Sequence, residues 1–187
     1  PVLEQIPEGN LQALLSDIDD DKLSRVLKHG SVSEGSYLLQ HVTPERHEVL
    51  LIHLKPEKKE KLLQFLNYPE DSAGRLMDSH FFTLSMEMTA QEGLDRLREK
   101  SKEESIYYIY CVGDDNRLTG VVSLRDLAIN DPSTPLREIT KNEVVTVHPE
   151  MPEEEVAKMV SHYDFIALPV VDDGGRLLGV VTVDDIL

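Results

Sequence analysis

The chain has 187 residues, 40% of them hydrophobic, and carries 35 Asp and Glu against 19 Lys and Arg, a net charge of −16. That acidity argues against a sequence-independent grip on nucleic acid phosphates, which needs clustered cations. No run approaches the roughly 18 apolar residues of a membrane span, residues 1–9 carry no signal-peptide pattern, and the single cysteine, Cys111, cannot staple a fold.

Residues 1–67 read as short amphipathic helices. Thr43–Leu54 (TPERHEVLLIHL) and Lys55–Leu66 (KPEKKEKLLQFL) match at a spacing of twelve, with Pro44, Glu45, Leu50, Leu51 and Leu54 answered by Pro56, Glu57, Leu62, Leu63 and Leu66. Proline at a first helical position followed by glutamate is a start signal, because the ring pre-sets φ and the acid meets the helix dipole. The leucines then fall on one face. A unit this short cannot bury its face alone, so a pile of such helices is expected. The pattern is already under way at Pro1, so the pile is expected to be truncated there.

Tyr68–Met77 (YPEDSAGRLM) follows, with Pro69 restricting its neighbours and Gly74 permitting a sharp turn. It reads as a junction over 68–78, between a helical domain (1–67) and a strand-rich region.

That region repeats. Ile106–Leu127 aligns with Phe165–Ile186 at an offset of 59, and Thr83, Glu87 and Met88 align with Thr146, Glu150 and Met151 at an offset of 63. The difference of four places one extra helical turn in the first copy, near Arg98–Ser105. Each copy reads strand, helix, strand, turn, strand, helix, with hairpin turns at Gly113–Asn116 and Asp172–Gly175. The copies span 79–138 and 139–187. Cys111 lies in an apolar run of the first, so a buried structural thiol in a reducing compartment is expected.

The acids are uneven. Residues 1–67 carry 11 acidic and 8 basic side chains, whereas residues 139–187 carry 10 and 3. One reading is a solvated surface. The other is a set of carboxylates that repel one another until a hard cation joins them. A hairpin centred near Gly174 and Gly175 pairs residues whose numbers sum to about 349, which sets Asp164 opposite Asp185 at one end of the sheet. The first copy has Ser105 opposite Asp126 there. The preceding helix should end near Ser161, leaving free carbonyls, and carboxylates, carbonyls and water are the ligands Mg²⁺ takes. Two solvated acids at a strand end remain the alternative.

Ser123 with Asp126, and Thr182 with Asp185, have capping-box spacing. The seven histidines lack zinc spacing and read as surface or structural. Cys111 sits in a strand, no nucleophile has a base beside it, and no phosphate loop appears. An enzyme is not expected.

The two copies, each closing on Gly-Val-Val-Ser/Thr-x-x-Asp, resemble a tandem pair of CBS domains over about Asp78–Leu187. The helical segment, the Tyr68–Met77 string and the pair occur in the order of the cytosolic region of MgtE-type magnesium transporters, which the chain resembles. The resemblance implies an α+β chain, in which an all-α helical-repeat N domain precedes a tandem CBS pair of mixed α/β type. It implies Mg²⁺ ligands at Asp164, Asp185 and Glu154, with Asp184 and Ser161 beside them, and bridging ligands at Glu34 and the Gly74 carbonyl. Tyr37 stands where the family commonly has an acid, which leaves one bridging ligand in doubt. The implied function is Mg²⁺ sensing at the cytoplasmic face of the membrane. Ions between N domain and CBS acids would favour a compact homodimer that closes a pore lying beyond Leu187. In many CBS pairs an acid like Asp126, with Ser123 and Thr182 nearby, meets the ribose of an adenine nucleotide such as ATP. A nucleotide sensor whose acids only solubilise it is the alternative, and a constitutive dimerisation module a third.

Overall fold

A computed structural model describes residues 8–79, 81–100, 106, 108–163 and 165–186. The chain separates into two compact units, Pro1–Asp71 and Ser72–Leu187.

The first unit is helical: α1 (Glu8–Asp17), α2 (Asp20–His29), α3 (Val32–Gln40), α4 (Pro44–Leu51) and α5 (Pro56–Asn67). Pro44 and Pro56 both open their helices. Helix α2 packs on α3 and α4, and α3 packs on α5. Their shared core contains Leu11, Leu15, Leu23, Leu27, Leu38, Leu39, Leu50, Leu51 and Leu62. The twelve-residue match is not kept in burial, since Leu51 is buried while its counterpart Leu63 is exposed.

Polar side chains finish the helix ends. Helix α3 opens on a capping box in which the Ser31 hydroxyl accepts the Glu34 N–H and the Glu34 carboxylate accepts the Ser31 N–H, each at 2.9 Å. At its far end His41 Nδ1 reaches Tyr37 O at 2.8 Å and His47 Nε2 reaches Leu39 O at 2.7 Å. Two of the seven histidines thus serve carbonyls that α3 leaves without intrahelical partners. Arg46 closes the corner between α1 and α2, bonding Leu15 O, Ile18 O and Asp20.

The second unit begins inside the Tyr68–Met77 string, with α6 (Ala73–Leu76), and continues with β1 (Thr83–Ser85), α7 (Ala90–Lys100), β2 (Ile109–Val112), β3 (Leu118–Val122), α8 (Leu124–Ile129), α9 (Leu136–Ile139), α10 (Glu153–Tyr163), β4 (Ala167–Val171) and β5 (Leu177–Thr182). In the first copy β1 pairs parallel with β2, and β2 antiparallel with β3. In the second copy β4 pairs antiparallel with β5, from Ala167 opposite Thr182 to Val170 opposite Gly179. Those pairs sum to 349, the register that the turn position implied.

Two expectations need correction. The second copy has no full leading strand: Val147 makes a single parallel bridge to Val170. The cause lies in Pro169. In the first copy the Tyr110 N–H donates to Phe82 O at 3.2 Å. The aligned residue is Pro169, which has no N–H to offer the matching carbonyl of Val145, so the ladder stops. The closing helix of that copy is one 3₁₀ turn, Val183–Asp185. Helices α7 and α10 are each described over 11 residues, and the extra helical turn expected near Arg98–Ser105 falls on positions 101–105. Positions 101–105 lie outside the described residues.

Each copy is completed by the segment that leads into the other. Asp78, before the first copy, exchanges two backbone bonds with Val180 of β5, at 2.8 and 2.9 Å. Lys141, at the start of the second copy, exchanges two with Val121 of β3, at 2.9 and 3.0 Å. Glycines permit the approach. A Cβ on Gly179 would stand 2.7 Å from Met77 Cγ, and one on Gly120 would overlap Lys141 O. The α6 segment is held too, by Ala73 N–H to Met151 O at 2.9 Å and Gly74 N–H to Pro149 O at 2.7 Å.

Candidate functional site

The two capping boxes form as their spacing implied. Asp126 Oδ2 accepts the Ser123 N–H at 3.3 Å and its hydroxyl, while Ser123 Oγ accepts the Asp126 N–H at 3.0 Å. Asp185 Oδ2 accepts the Thr182 N–H at 2.7 Å and its hydroxyl at 2.6 Å. In both boxes these bonds fall on Oδ2, so capping leaves Oδ1 available for a ligand. The Ser123 hydroxyl holds the Asp126 carboxyl below its ordinary value, its backbone N–H adds to this, and the charges of Lys141 and Arg125 act in the same direction.

Around Asp185, the Val183 N–H donates to Ile166 O at 2.9 Å, which carries the 349 register one residue past the ladder. Asp164 lies outside the described residues. Asp184 and Asp185 are exposed on the closing turn. Helix α10 runs to Tyr163, and Glu154 and Ser161, seven apart, share an exposed stripe with Lys158 between them. The same surface carries His162 and Tyr163. Sequence reasoning passed over Lys158, whose i+4 spacing from Glu154 was the available signal. Among the described residues, no three of His, Cys, Asp or Glu come together as a metal-holding group. The donors still suit a hard cation, because Mg²⁺ keeps several waters and commonly takes only one or two carboxylates.

The two remaining expected ligands are placed as follows. Gly74 is buried in α6, with its N–H on Pro149 O. In the first unit, the Glu34 carboxylate is committed to its capping box through Oε2. Tyr37 packs its ring 4.5 Å from that of His41.

A second feature lies between the two copies. Tyr108, Tyr110 and Val121 face Glu143, Val144, Val145, Phe165, Leu168 and Pro169 across a cleft of ≈ 100 Å³. Tyr110 is 2% exposed, yet its hydroxyl makes no hydrogen bond among the described residues, and burial raises its pKa. A buried hydroxyl without a partner carries a desolvation cost of about 1–3 kcal/mol, so it marks a place for an acceptor or a water. The cleft wall at Val121 leads directly into the Ser123–Asp126 box. Cys111, by contrast, is buried with its pKa pushed up by desolvation, and the Thr140 hydroxyl donates to its sulfur at 3.2 Å. It is a packed thiol.

A helical module followed by two cross-completed sheet-and-helix copies defines a chain of two parts, an all-α domain and a paired α/β module. The family model for the CBS domain matches residues 73–130 and 136–187, and that for the MgtE intracellular N domain matches residues 1–71. The chain belongs to the CBS-domain family, in the arrangement of the cytosolic region of MgtE-type magnesium transporters. It is 49% identical over 121 residues to the magnesium transporter MgtE of Thermus thermophilus, covering 64% of this chain and 27% of that protein. The MgtE of Enterococcus faecalis is 39% identical over 125 residues, covering 66% and 28%. The chain therefore spans little more than a quarter of these relatives. Among solved structures, the soluble part of a magnesium transporter superposes with a TM-score of 0.85 at 32% identity, covering 95% of this chain and 70% of that one. The cytosolic domain of the Mg²⁺ channel MgtE in complex with ATP gives 0.64 at 34% identity, covering 99% and 91%.

Proposed function

We propose that this chain is the Mg²⁺-sensing cytosolic part of a magnesium transporter, acting on a pore that the full protein carries. The observation that supports it best is the likeness, over 95% of the chain, to the soluble part of a magnesium transporter. Asp185, Glu154 and the neighbouring Asp164 and Asp184 would share water-retaining ions, with the Ser161 backbone beside them. Glu34 and the Gly74 carbonyl are the proposed contacts across to the N domain. At high internal Mg²⁺ the ions cancel repulsion among the carboxylates and favour a compact CBS-paired dimer that holds the pore shut. At low Mg²⁺ the acids repel and the pore is released. The ion acts through its different affinity for the two states.

Small-angle scattering and limited proteolysis across a Mg²⁺ titration test this. Compaction and protection are expected for the parent chain and are expected to be lost in an Asp164→Asn, Asp185→Asn double variant. A scattering curve that does not change with Mg²⁺ sinks the sensing role, and protection that survives in the double variant sinks these residues as the site.

A second reading has its own observation, the unpartnered Tyr110 hydroxyl in the cleft. An adenine nucleotide seated there would lay its base among Tyr108, Tyr110 and Phe165 and its ribose diol on Asp126, with Arg125 and Lys141 toward the phosphates. The MgtE cytosolic domain solved with ATP supports this reading. Calorimetry with ATP in the absence of Mg²⁺ separates the two ligands.

A further inference from the structure

The second copy sets three basic side chains, Lys141, Lys158 and Arg176, among its ten acids. Two of the three are engaged. Arg176 Nε donates to Asp172 Oδ2 at 2.8 Å, and the charge of Lys141 acts on Asp126. Lys158 is exposed on α10 and makes no ion pair or hydrogen bond among the described residues. Its helical neighbours are Glu154 and Glu155 one turn before it and Ser161 and His162 one turn after it. Neighbours at these spacings have Cβ atoms about 5–6 Å apart, so the ammonium can approach either carboxylate without being tied to one. The first unit shows the opposite arrangement. There Lys58 Nζ donates to Lys28 O at 3.1 Å and to Gly30 O, and the charge of Glu34 acts on it. Lys58 is locked beside its acid, whereas Lys158 is not.

We infer that Lys158 is a tethered counter-ion of the acidic stripe on α10, one that a divalent cation must displace, so that this lysine sets the Mg²⁺ level at which the chain responds. This rests on the Mg²⁺ reading given above. In the ion-free state an ammonium near Glu154 and Glu155 offsets part of the repulsion between their carboxylates. A divalent ion arriving at the stripe repels that ammonium. The lysine is a compact point charge on a flexible four-carbon stem, and it can turn to solvent without breaking a hydrogen bond. Lys58 has no such freedom, since leaving Glu34 would also strip two carbonyls at the end of α2 of their donor. Lys158 therefore favours the ion-free state and raises the concentration needed to leave it, which is a bias on one of two states. Because the counter-ion is covalently attached, its local concentration stays high whatever the surrounding salt.

Mg²⁺ titrations of the whole chain, read by protease protection at about 0.01 M and about 1 M monovalent salt, test this with two variants. Lys158→Met keeps an unbranched stem and removes the charge, Lys158→Arg keeps the charge, and all three residues are good helix formers. At low salt Lys158→Met is expected to lower the Mg²⁺ midpoint by about fivefold, and Lys158→Arg to stay within about twofold of the parent. At about 1 M salt the Debye length is about 3 Å, shorter than the spacing between helical neighbours, so the methionine shift is expected to shrink below about twofold. A Lys158→Met midpoint at or above the parent's at low salt, an arginine variant that moves as far as the methionine one, or a shift of full size at high salt overturns the inference. A parent chain that gains no protection from Mg²⁺ at either salt overturns the Mg²⁺ reading on which it stands.

Discussion

Replacing Gly179 with alanine asks whether the lead-in segments hold the CBS pair together. The new Cβ would stand 2.7 Å from Met77 Cγ and Sδ and 2.9 Å from Asp78 O. The thioether can swing aside. The Asp78 carbonyl cannot move freely, because it accepts the Val180 N–H at 2.9 Å while the Asp78 N–H is bound to Val180 O. Relief must therefore draw the lead-in backbone off β5. Overpacking costs about 1–3 kcal/mol. Alanine returns about 0.4–1 kcal/mol by restricting the unfolded chain. The net loss is about 1–2 kcal/mol, which at a slope of about 2 kcal/mol/M moves a urea midpoint down by roughly 0.5–1 M. Gly120→Ala meets backbone Lys141 O more closely and is expected to cost more. Gly113→Ala, 3.4 Å from Thr119 Cγ2, is the control and is expected within about 0.5 kcal/mol of the parent. Near-ultraviolet circular dichroism follows the second unit through Tyr108 and Tyr110. Equal midpoints for all three variants would refute the view that these contacts are tight and matter.

Two further outcomes are expected. Lys158→Gln removes a cation from between Glu154 and Ser161, which lowers the Mg²⁺ midpoint for protease protection by about fivefold, as about 1 kcal/mol of like-charge repulsion disappears; a midpoint that rises contradicts the placement of the ion on this stripe. Asp126 has a folded pKa below its ordinary 3.8, so its contribution to stability is present above that value and is lost as the pH falls through the folded one. The stability gap between the parent and Asp126→Asn should be widest above about pH 4 and close on acidification, and a gap that widens in acid refutes the sign.

The second hairpin was legible because its turn residues fix its register: the pairing from Ala167–Thr182 to Val170–Gly179 follows from where Asp172–Gly175 turns the chain. The capping boxes were legible because their chemistry is local, confined to four residues. What the sequence hid is long-range. An internal alignment shows that Asp78 and Lys141 are equivalent, but not that each lies on the other copy's sheet, since nothing within a copy specifies which partner its lead-in strand will choose. The truncated ladder at Val147 was readable in principle from Pro169, but only once the parallel pairing that needs its N–H was known. In the acidic stripe, Lys158 sits four residues from Glu154 with the opposite charge, a spacing that the sequence carries openly.

The exchange of Asp78 and Lys141 between copies also bears on how such a pair can change over time. A cut at the boundary would remove the backbone bridges that Asp78 and Lys141 lend to the other copy and leave two open sheet edges ready to recruit strands from other molecules. A gene encoding one half alone would gain a closed fold only by borrowing from a second molecule of itself. The two halves are therefore bound to be inherited together, yet each pocket is lined by side chains that substitute independently. That combination lets each copy vary its surface side chains without either losing its frame.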